Sequence, residues 1–204
     1  MLTLDHFAIA TTRLADGVAD IETALRVDLA PGGQHEAMGT HNRLLSLGPD
    51  EYLEVIAIDP LGQRPVQPRW FDLDNFEGRT RPTTWICRCP DLEAALAASP
   101  AGVGSPWDLA RGDLRWRMAV PADGKLPFAG LFPALIEWQG AAHPAPRLPD
   151  RDVRLKAIVL HSPEAGALAD ALAGLMDDPR LSVVSAPAPR LQIVLHTPGG
   201  DVTL

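Results

Sequence analysis

The sequence has no long apolar stretch, little cysteine and no excess of positive charge. No run approaches the roughly 20 apolar residues that a membrane-spanning helix needs. The first residues, MLTLDHFAIATT, show no basic segment ahead of an apolar one, so we expect no signal peptide. The net charge of −8 argues against binding to nucleic acid or to an anionic membrane surface.

Only two cysteines are present, Cys87 and Cys89 in WICRCPDL. On a strand, residues two apart point to the same face in an arrangement that does not suit an unstrained disulfide. A zinc site needs more soft ligands than one C-x-C pair offers. We therefore expect both cysteines to be small buried apolar side chains, and we expect a reducing, cytoplasmic setting.

Several catalytic signatures are also missing. The chain has no Gly-rich phosphate loop and no G-x-S-x-G nucleophile elbow. Its cysteines lie inside a predicted strand, without the electropositive setting that a reactive thiolate needs. With 46% hydrophobic and 22% charged residues, the 204-residue chain has the composition of an ordinary globular protein, which excludes a disordered or fibrous one.

The sequence does contain a repeat of an apolar strand, a short polar turn and a helix. The repeat begins at His6, at Trp85 and at Ala157. In each helix apolar residues recur at spacings of three and four, which is typical of an amphipathic helix. Further apolar strands follow each helix. The repeating unit is therefore a strand, a helix and three strands, present twice in full and a third time in shortened form.

This repeat predicts how the chain is divided. Residues 1–60 form the first βαβββ unit, residues 83–140 the second and residues 153–204 the shortened third. Residues 61–82 are rich in Pro, Arg and aromatic residues without periodicity, which indicates a connector laid over the surface. Residues 141–152 form a second, Pro-stiffened connector. We expect all of these segments to form one compact domain.

Five segments, in this order and spacing, resemble the vicinal oxygen chelate (VOC) superfamily and its glyoxalase-like branch. They are LDHFAIA, PGGQHEAMGTHNRLLSLG, YLEVIAI, PALIEW followed by HP, and LHTPGGDVTL. The resemblance runs over nearly the whole chain. It implies an α+β fold in which paired βαβββ units form an incomplete barrel, with a shortened third βαβββ-like unit. It also implies a small-molecule site on the concave face of that barrel.

Two glutamates stand inside otherwise apolar strands, Glu54 in EYLEVIAI and Glu137 in LFPALIEWQG. Burying an unpartnered charge is costly, so each position needs an explanation. The resemblance implies one, because metal-dependent members of the superfamily hold a divalent ion on the first and last strands of each unit. Carried over by position, the metal ligands are His6, Glu54 and Glu137, and Glu137 is also the catalytic residue. Such a set suits Fe, Mn, Ni, Co or Zn.

The position of a fourth ligand falls on Thr84 or Trp85, and neither is a metal ligand of the expected kind. A three-ligand site with open coordination positions is one alternative. A site without any metal is the other, and the sequence leaves both open.

Residues expected to bind a substrate are polar or aromatic and lie on predicted strands of the first two units. They are His41, Asn42, Trp85, Trp138 and Arg117. Other roles stay open for several of them. Asn42 also suits a turn, and Arg117 also suits a solvated strand face. The tryptophans also suit the core or a contact between two copies of the chain, so a homodimer stays open.

Two classes of function fit these features. The first is an enzyme, a lyase, an isomerase or a dioxygenase, that acts on a small oxygenated molecule. In it, a metal ion or a carboxylate base would stabilise an enolate-like intermediate. The second is a metal-free protein that binds a small molecule without catalysis, as some resistance proteins of the superfamily do.

Overall fold

The computed structural model describes all 204 residues and forms two β-sheets with three α-helices. The first ten elements are β1 (Thr3–Ala10), α1 (Leu14–Leu25), β2 (Ala30–His35), β3 (Thr40–Ser46), β4 (Tyr52–Ile58), β5 (Arg81–Arg88), α2 (Leu92–Ala97), β6 (Ser105–Arg111), β7 (Leu114–Val120) and β8 (Ala134–Trp138). The others are β9 (Arg154–Ser162), α3 (Ala165–Leu172), β10 (Leu181–Ser185), β11 (Arg190–Thr197) and β12 (Gly200–Thr203). Short 3₁₀ segments cover Trp70–Asn75, Phe128–Gly130 and Ala145–Arg147. None of the three helices is long and apolar enough to cross a membrane.

The larger sheet has eight strands in the order β2-β3-β4-β1-β5-β8-β7-β6. Each unit contributes four neighbouring strands, and the two units join through the antiparallel pair β1–β5. Within each unit the first strand pairs in parallel with the last, β1 with β4 and β5 with β8. The sheet curls until its edge strands β2 and β6 approach each other. The predicted fold class, paired βαβββ units forming an incomplete barrel, is confirmed.

Side-chain alternation along the strands separates two apolar clusters, one on each face of this sheet. The cluster on the helix side contains Phe7, Leu53, Trp85 and Leu135 together with residues of the helices. The cluster on the concave side contains Ala8, Ile56, Ile86, Met118 and Ile136. Neighbouring residues of one strand therefore lie in different environments, and a shift of one residue changes the face.

The two cysteines belong to the helix-side cluster, where both are buried and free. This confirms the expectation that they are small apolar core residues. Burial raises the pKa of the Cys89 thiol to about 11, so the thiolate form is disfavoured. Neither cysteine is available as a nucleophile.

The C-terminal residues form a separate four-stranded sheet in the order β10-β9-β11-β12. Its chain order of strand, helix and three strands is that of the first two units, but its pairing differs. Here β10, the first strand after the helix, pairs in parallel with β9. In the first unit, the strand that pairs in parallel with β1 is the last one, β4. Ile158, Leu160 and Ile193 of this sheet join the helix-side cluster. The C-terminal sheet thus covers the convex side and leaves the concave face open.

The segment predicted as a surface connector, residues 61–82, is partly buried instead. Trp70, Phe71 and Leu73 lie in the concave cluster and are at most 7% exposed. The expectation was wrong because the aromatic residues of a non-repetitive segment show no periodic face that would reveal their burial. Residues 61–82, called the filling segment below, thus occupy part of the concave side of the curled sheet.

The turn at Phe71 and Asp72 holds this filling segment in an uncommon backbone conformation. Their φ angles are 59° and 53°, in the left-handed region that costs a non-glycine residue roughly 1–2 kcal/mol. Two hydrogen bonds between Arg69 and Asp74, which lie before and after this pair in the chain, stabilise the turn. The backbone N–H and the Nη1 of Arg69 donate to the Asp74 carboxylate at 2.8 and 2.5 Å. The Trp70 and Phe71 rings are stacked, with centroids 5.2 Å apart.

Candidate active site

A small cavity of about 30 Å³ lies on the concave face, with walls from both βαβββ units and from the filling segment. Its lining residues are His6, His35, Asn42, Tyr52, Glu54, Trp70, Phe71, Arg111, Trp116, Met118, Ile136 and Trp138. The cavity has room for about two water molecules. The first unit supplies most of the polar lining residues and the second unit most of the apolar ones.

His6 is oriented by the residue that precedes it. The register of β1 against β5 shifts between Leu4 and His6, which brings the Asp5 and His6 side chains together. The His6 Nδ1–H donates to Asp5 Oδ1 at 2.7 Å, and the Tyr52 ring stacks on the imidazole with centroids 4.3 Å apart. Because Nδ1 is engaged, Nε2 is the nitrogen that faces Glu54, 3.7 Å from its Oε1.

Asp5 is a buried anion surrounded by donors. Its Oδ2 accepts from Trp138 Nε1 at 3.0 Å and from His143 Nε2 at 3.1 Å, and Arg88 Nη1 lies 3.5 Å away. Burial by itself raises the pKa of Asp5, but the hydrogen bonds from His143 and His6 outweigh it and hold that pKa well below its usual value of 3.8. The carboxylate therefore stays charged and fixes the orientation of three side chains at the cavity.

Glu54 is held from the other side by Asn42. The Asn42 Nδ2 donates to Glu54 Oε2 at 2.6 Å. The amide oxygen of Asn42 in turn accepts from the Gly33 backbone N–H at 2.9 Å and from Arg111 Nη1 at 3.3 Å. Glu54 is only 4% exposed. One carboxylate oxygen is thus committed to the protein, while Oε1 is directed toward His6.

Arg111 closes the cup where the two edge strands meet. It is the last residue of β6, and its Nη1 donates to His35 Nε2 on β2 at 3.1 Å. The His35 Nδ1–H donates to Thr40 Oγ1 at 3.0 Å. Burial, followed by the charges of Arg111, His6 and His41, lowers the pKa of His35 to about 3. His35 is therefore a neutral acceptor, and it holds a guanidinium close to the Glu54–Asn42 pair.

Comparison with known proteins assigns the family. A family model described as a glyoxalase-like domain matches residues 4–176. The chain belongs to the glyoxalase-like domain family. This confirms the resemblance to the VOC superfamily that the sequence motifs indicate. No curated protein matches the chain.

Several solved structures are similar to this glyoxalase-like chain. A hypothetical protein from Staphylococcus aureus is similar over 93% of this chain and 88% of its own, with a TM-score of 0.62 and 10% identity. Methylmalonyl-CoA epimerase from Mycobacterium tuberculosis matches 68% of this chain and 88% of its own, with a TM-score of 0.43 and 20% identity. Methylmalonyl-CoA epimerase from Streptomyces coelicolor, in complex with 2-nitronate-propionyl-CoA, matches 70% of this chain and 98% of its own, with a TM-score of 0.44 and 15% identity. At these identities the first structure supports the fold alone, and the epimerases carry no inference about activity.

The cavity of the glyoxalase-like domain brings together four of the residues singled out in the sequence. They are His6, Glu54, Asn42 and Trp138. The first two come from the first and last strands of the first unit, where the resemblance implies them. Trp138 reaches the cavity from the second unit and contributes its indole N–H to Asp5.

Glu137 does not reach this cavity. Its neighbour Ile136 lines the cavity, so strand alternation directs Glu137 to the opposite face of the sheet. There its Oε2 accepts from the Leu92 backbone N–H at 3.2 Å and from Arg117 Nη1 at 3.4 Å. The structure therefore does not bring Glu137 together with His6 and Glu54, as the predicted three-ligand set and catalytic role of Glu137 require. Its position in the second unit corresponds to that of Glu54 in the first. In β4, however, Glu54 and Ile56 lie on the concave face, whereas in β8 Leu135 and Glu137 lie on the helix side.

Three other predicted substrate-binding residues also lie away from the cavity. His41 alternates to the face opposite the cavity-lining residues of β3. Trp85 is fully buried in the helix-side core, where its Nε1 donates to the Leu131 carbonyl at 2.8 Å. Arg117 pairs with Glu93 at 2.5 Å on the helix side. None of them contacts the cavity of the domain.

Several residues that form the site were not predicted from the sequence. Among them are Asp5, His35, Tyr52, Trp70 and Arg111. Asp5 had a readable signal, because a carboxylate in the apolar strand LDHFAIA poses the same question as Glu54. Arg111 had none, because its place beside His35 depends on the curl of the whole sheet.

The donor set at the cavity does not fit a resident divalent ion. His6 Nε2 and Glu54 Oε1 face each other, but no group of three His, Cys, Asp or Glu side chains is close enough to hold a metal. Divalent transition metals in proteins are held by three or four such ligands. The next imidazole, His35, already accepts from a guanidinium, whose positive charge opposes a cation at that position.

Proposed function

We propose that this glyoxalase-like protein is an isomerase- or lyase-type enzyme that acts on a small oxygenated molecule. Glu54 would remove a proton from a carbon atom next to a carbonyl group. The observation that carries this proposal is the arrangement of Asp5, His6 and Glu54, in which the imidazole of His6 and the carboxylate of Glu54 face each other at the cavity. The reaction needs no resident metal ion.

Glu54 has the properties of a positioned base. Asn42 holds one of its oxygens, and the other is directed into the cavity, where few waters compete for it. His6 lies 3.7 Å from that oxygen and is the neighbouring group that can accept the proton from it. Asp5 keeps the imidazole in one orientation through its hydrogen bond with Nδ1, as an orienting carboxylate does beside a catalytic histidine.

The cavity also offers donors to the oxygen that becomes negative when a carbon acid loses its proton. The Trp70 indole N–H is buried and has no hydrogen-bond partner. An unpaired buried donor costs roughly 1–3 kcal/mol, so a substrate oxygen would satisfy a group that the protein leaves open. Arg111 also lines the cavity and adds a positive charge. Fixed donors of this kind stabilise enolate oxygens.

Substrate binding requires the filling segment to move. A cavity of about 30 Å³ excludes any organic molecule, and Trp70 and Phe71 form one of its walls. The left-handed backbone conformation of Phe71 and Asp72 disfavours the closed position of this segment. We propose that substrate displaces the stacked rings.

Exchange of carbon-bound hydrogen in D₂O tests the proposal. Small 2-oxo acids, 2-hydroxy ketones and β-keto acids are incubated with the protein, and loss of the proton signal is followed by NMR. We expect accelerated exchange for at least one class. Glu54→Gln should slow that exchange by about 100-fold or more, the size of a lost general base. Glu137→Gln, the same change on the opposite face, should alter the rate less than about twofold.

An equal loss in both variants would contradict the assignment of Glu54 as the base. Binding of a compound to the wild-type protein, seen as a change in tryptophan fluorescence, without exchange in any class would show the second kind of function, a non-catalytic binder.

A further inference from the structure

A second and larger cavity, of about 510 Å³, lies where the eight-stranded sheet meets the C-terminal sheet. Its walls come from the filling segment, the start of β5, the loop that contains Phe128–Gly130 and the start of β11. This volume is within the range of sites that bind small organic molecules. None of Asp5, His6 and Glu54 lines it, so the cavity is distinct from the proposed active site, although Phe71 contributes to the walls of both.

Three cationic side chains from distant parts of the chain line this cavity. They are Arg81, Lys125 and Arg190. None of them has a carboxylate within ion-pair distance, although carboxylates outnumber cations in a chain of net charge −8. The one acidic residue of the lining, Asp72, accepts from Asn75 at 2.6 Å. A positive cavity in an acidic protein attracts an anion.

Arg81 is already held in place for such a ligand. Its Nη1 donates to the Glu77 carbonyl at 2.8 Å and to the Arg79 carbonyl at 3.2 Å, and its guanidinium lies 4.4 Å from the centre of the Phe76 ring. A guanidinium has five N–H donors, so others stay available for a planar anion. Because the side chain is ordered beforehand, binding loses less conformational entropy.

Arg190 adds a second guanidinium from the C-terminal sheet. Its partners are neutral or weakly basic groups, His161 Nε2 at 3.2 Å and the Gln192 side-chain oxygen. Lys125 has no side-chain hydrogen bond, since only its backbone N–H is engaged, by Asp123 at 3.0 Å. Part of the remaining wall is apolar, with Phe71, Phe76, Leu126, Leu131 and Leu191. The cavity thus combines anion donors with a surface for a hydrocarbon body.

We propose that this cavity binds a small organic anion, a molecule with one carboxylate, phosphate or sulfonate group and an apolar body. Such a ligand would contact β5 and β11 together and so bridge the two sheets. A ligand that binds only the folded state raises the melting temperature, so we expect such an anion to do so here.

Anilinonaphthalene sulfonate and its uncharged analogue phenylnaphthylamine test the proposal, because they share an apolar body and differ in the anionic group. Fluorescence titration of the full chain should show one sulfonate bound per chain, at least about tenfold tighter than the neutral analogue. Arg81→Gln and Lys125→Gln should each weaken the sulfonate several-fold and leave the analogue unchanged. Lys125→Gln removes no side-chain hydrogen bond, so this variant keeps the test valid if Arg81→Gln fails to fold.

Arg151→Gln is the matched control, because it removes one positive charge from an exposed residue that does not line the cavity. It should leave sulfonate affinity unchanged. Octanoate and octyl phosphate are then added as competitors, and displacement by either supports the site and identifies the preferred anion. Displacement by neither, equal affinity for both probes, or an equal effect of Arg151→Gln would overturn the proposal.

Discussion

Replacing Asp5 with Asn should lower the free energy of unfolding by about 3–5 kcal/mol, the cost of breaking a buried charge pair. The Asp5 carboxylate is fully buried and accepts from His6, His143 and Trp138, with Arg88 also close. An amide at this position carries no charge and turns an N–H toward groups that are themselves donors. Urea unfolding of both proteins at neutral pH measures the difference.

The control is Asp150→Asn, which makes the same chemical change in an exposed ion pair with Arg154. An exposed pair of this kind contributes less than about 1 kcal/mol. Since the folded pKa of Asp5 lies below its unfolded value, its contribution is present above that unfolded value and is lost as the pH falls below about 4. A loss for Asp5→Asn no larger than for Asp150→Asn would show that Asp5 does not organise the site.

Acidification should destabilise the protein through His35 well before the carboxylates titrate. The folded pKa of His35 is about 3 against 6.5 for the free side chain, so between these values the unfolded chain binds a proton that the folded chain does not. Stability therefore falls as the pH drops, by about 1.4 kcal/mol per pH unit at most. From pH 7 to pH 4 this one group should remove about 3 kcal/mol.

The measurement is the free energy of unfolding across pH 4–7 for the wild-type protein and for His35→Asn. The variant should be less stable at pH 7, because Arg111 and Thr40 lose a partner, but most of the acid slope should vanish. His196→Asn, a change at an exposed histidine paired with Asp201, should keep the slope. An unchanged slope in His35→Asn would mean that His35 is not buried as a neutral imidazole.

The paired units of the fold were predictable because each repeats an apolar strand, an amphipathic helix and three more strands. These patterns reflect local chemistry, the periods of 2.0 and 3.6 residues that a buried face imposes. Strand pairing is not local. The same order of elements in the C-terminal residues leads to a different sheet, with β10 beside β9, and no residue pattern distinguishes the two outcomes.

The site was predictable only as far as single strands reveal it. His6 and Glu54 are polar residues in apolar strands, and both line the cavity. Glu137 is also a polar residue in an apolar strand. In β8, however, its neighbours Ile136 and Trp138 face the cavity, so Glu137 lies on the other face of the sheet. Arg111 and Trp70 come to the cavity through sheet curl and through an irregular segment, which have no periodic signal.

Metal analysis of protein purified without chelator and without added metal tests most directly whether Glu54 and His6 work as a metal-free acid–base pair. We predict well below one equivalent of Mn, Fe, Co, Ni and Zn per chain, because the cavity offers only two facing donors. The proton-exchange rate should also be unchanged after dialysis against a chelator. One equivalent of a divalent ion, lost in both His6→Ala and Glu54→Gln and retained in Glu137→Gln, would contradict this prediction and make the cavity a metal centre.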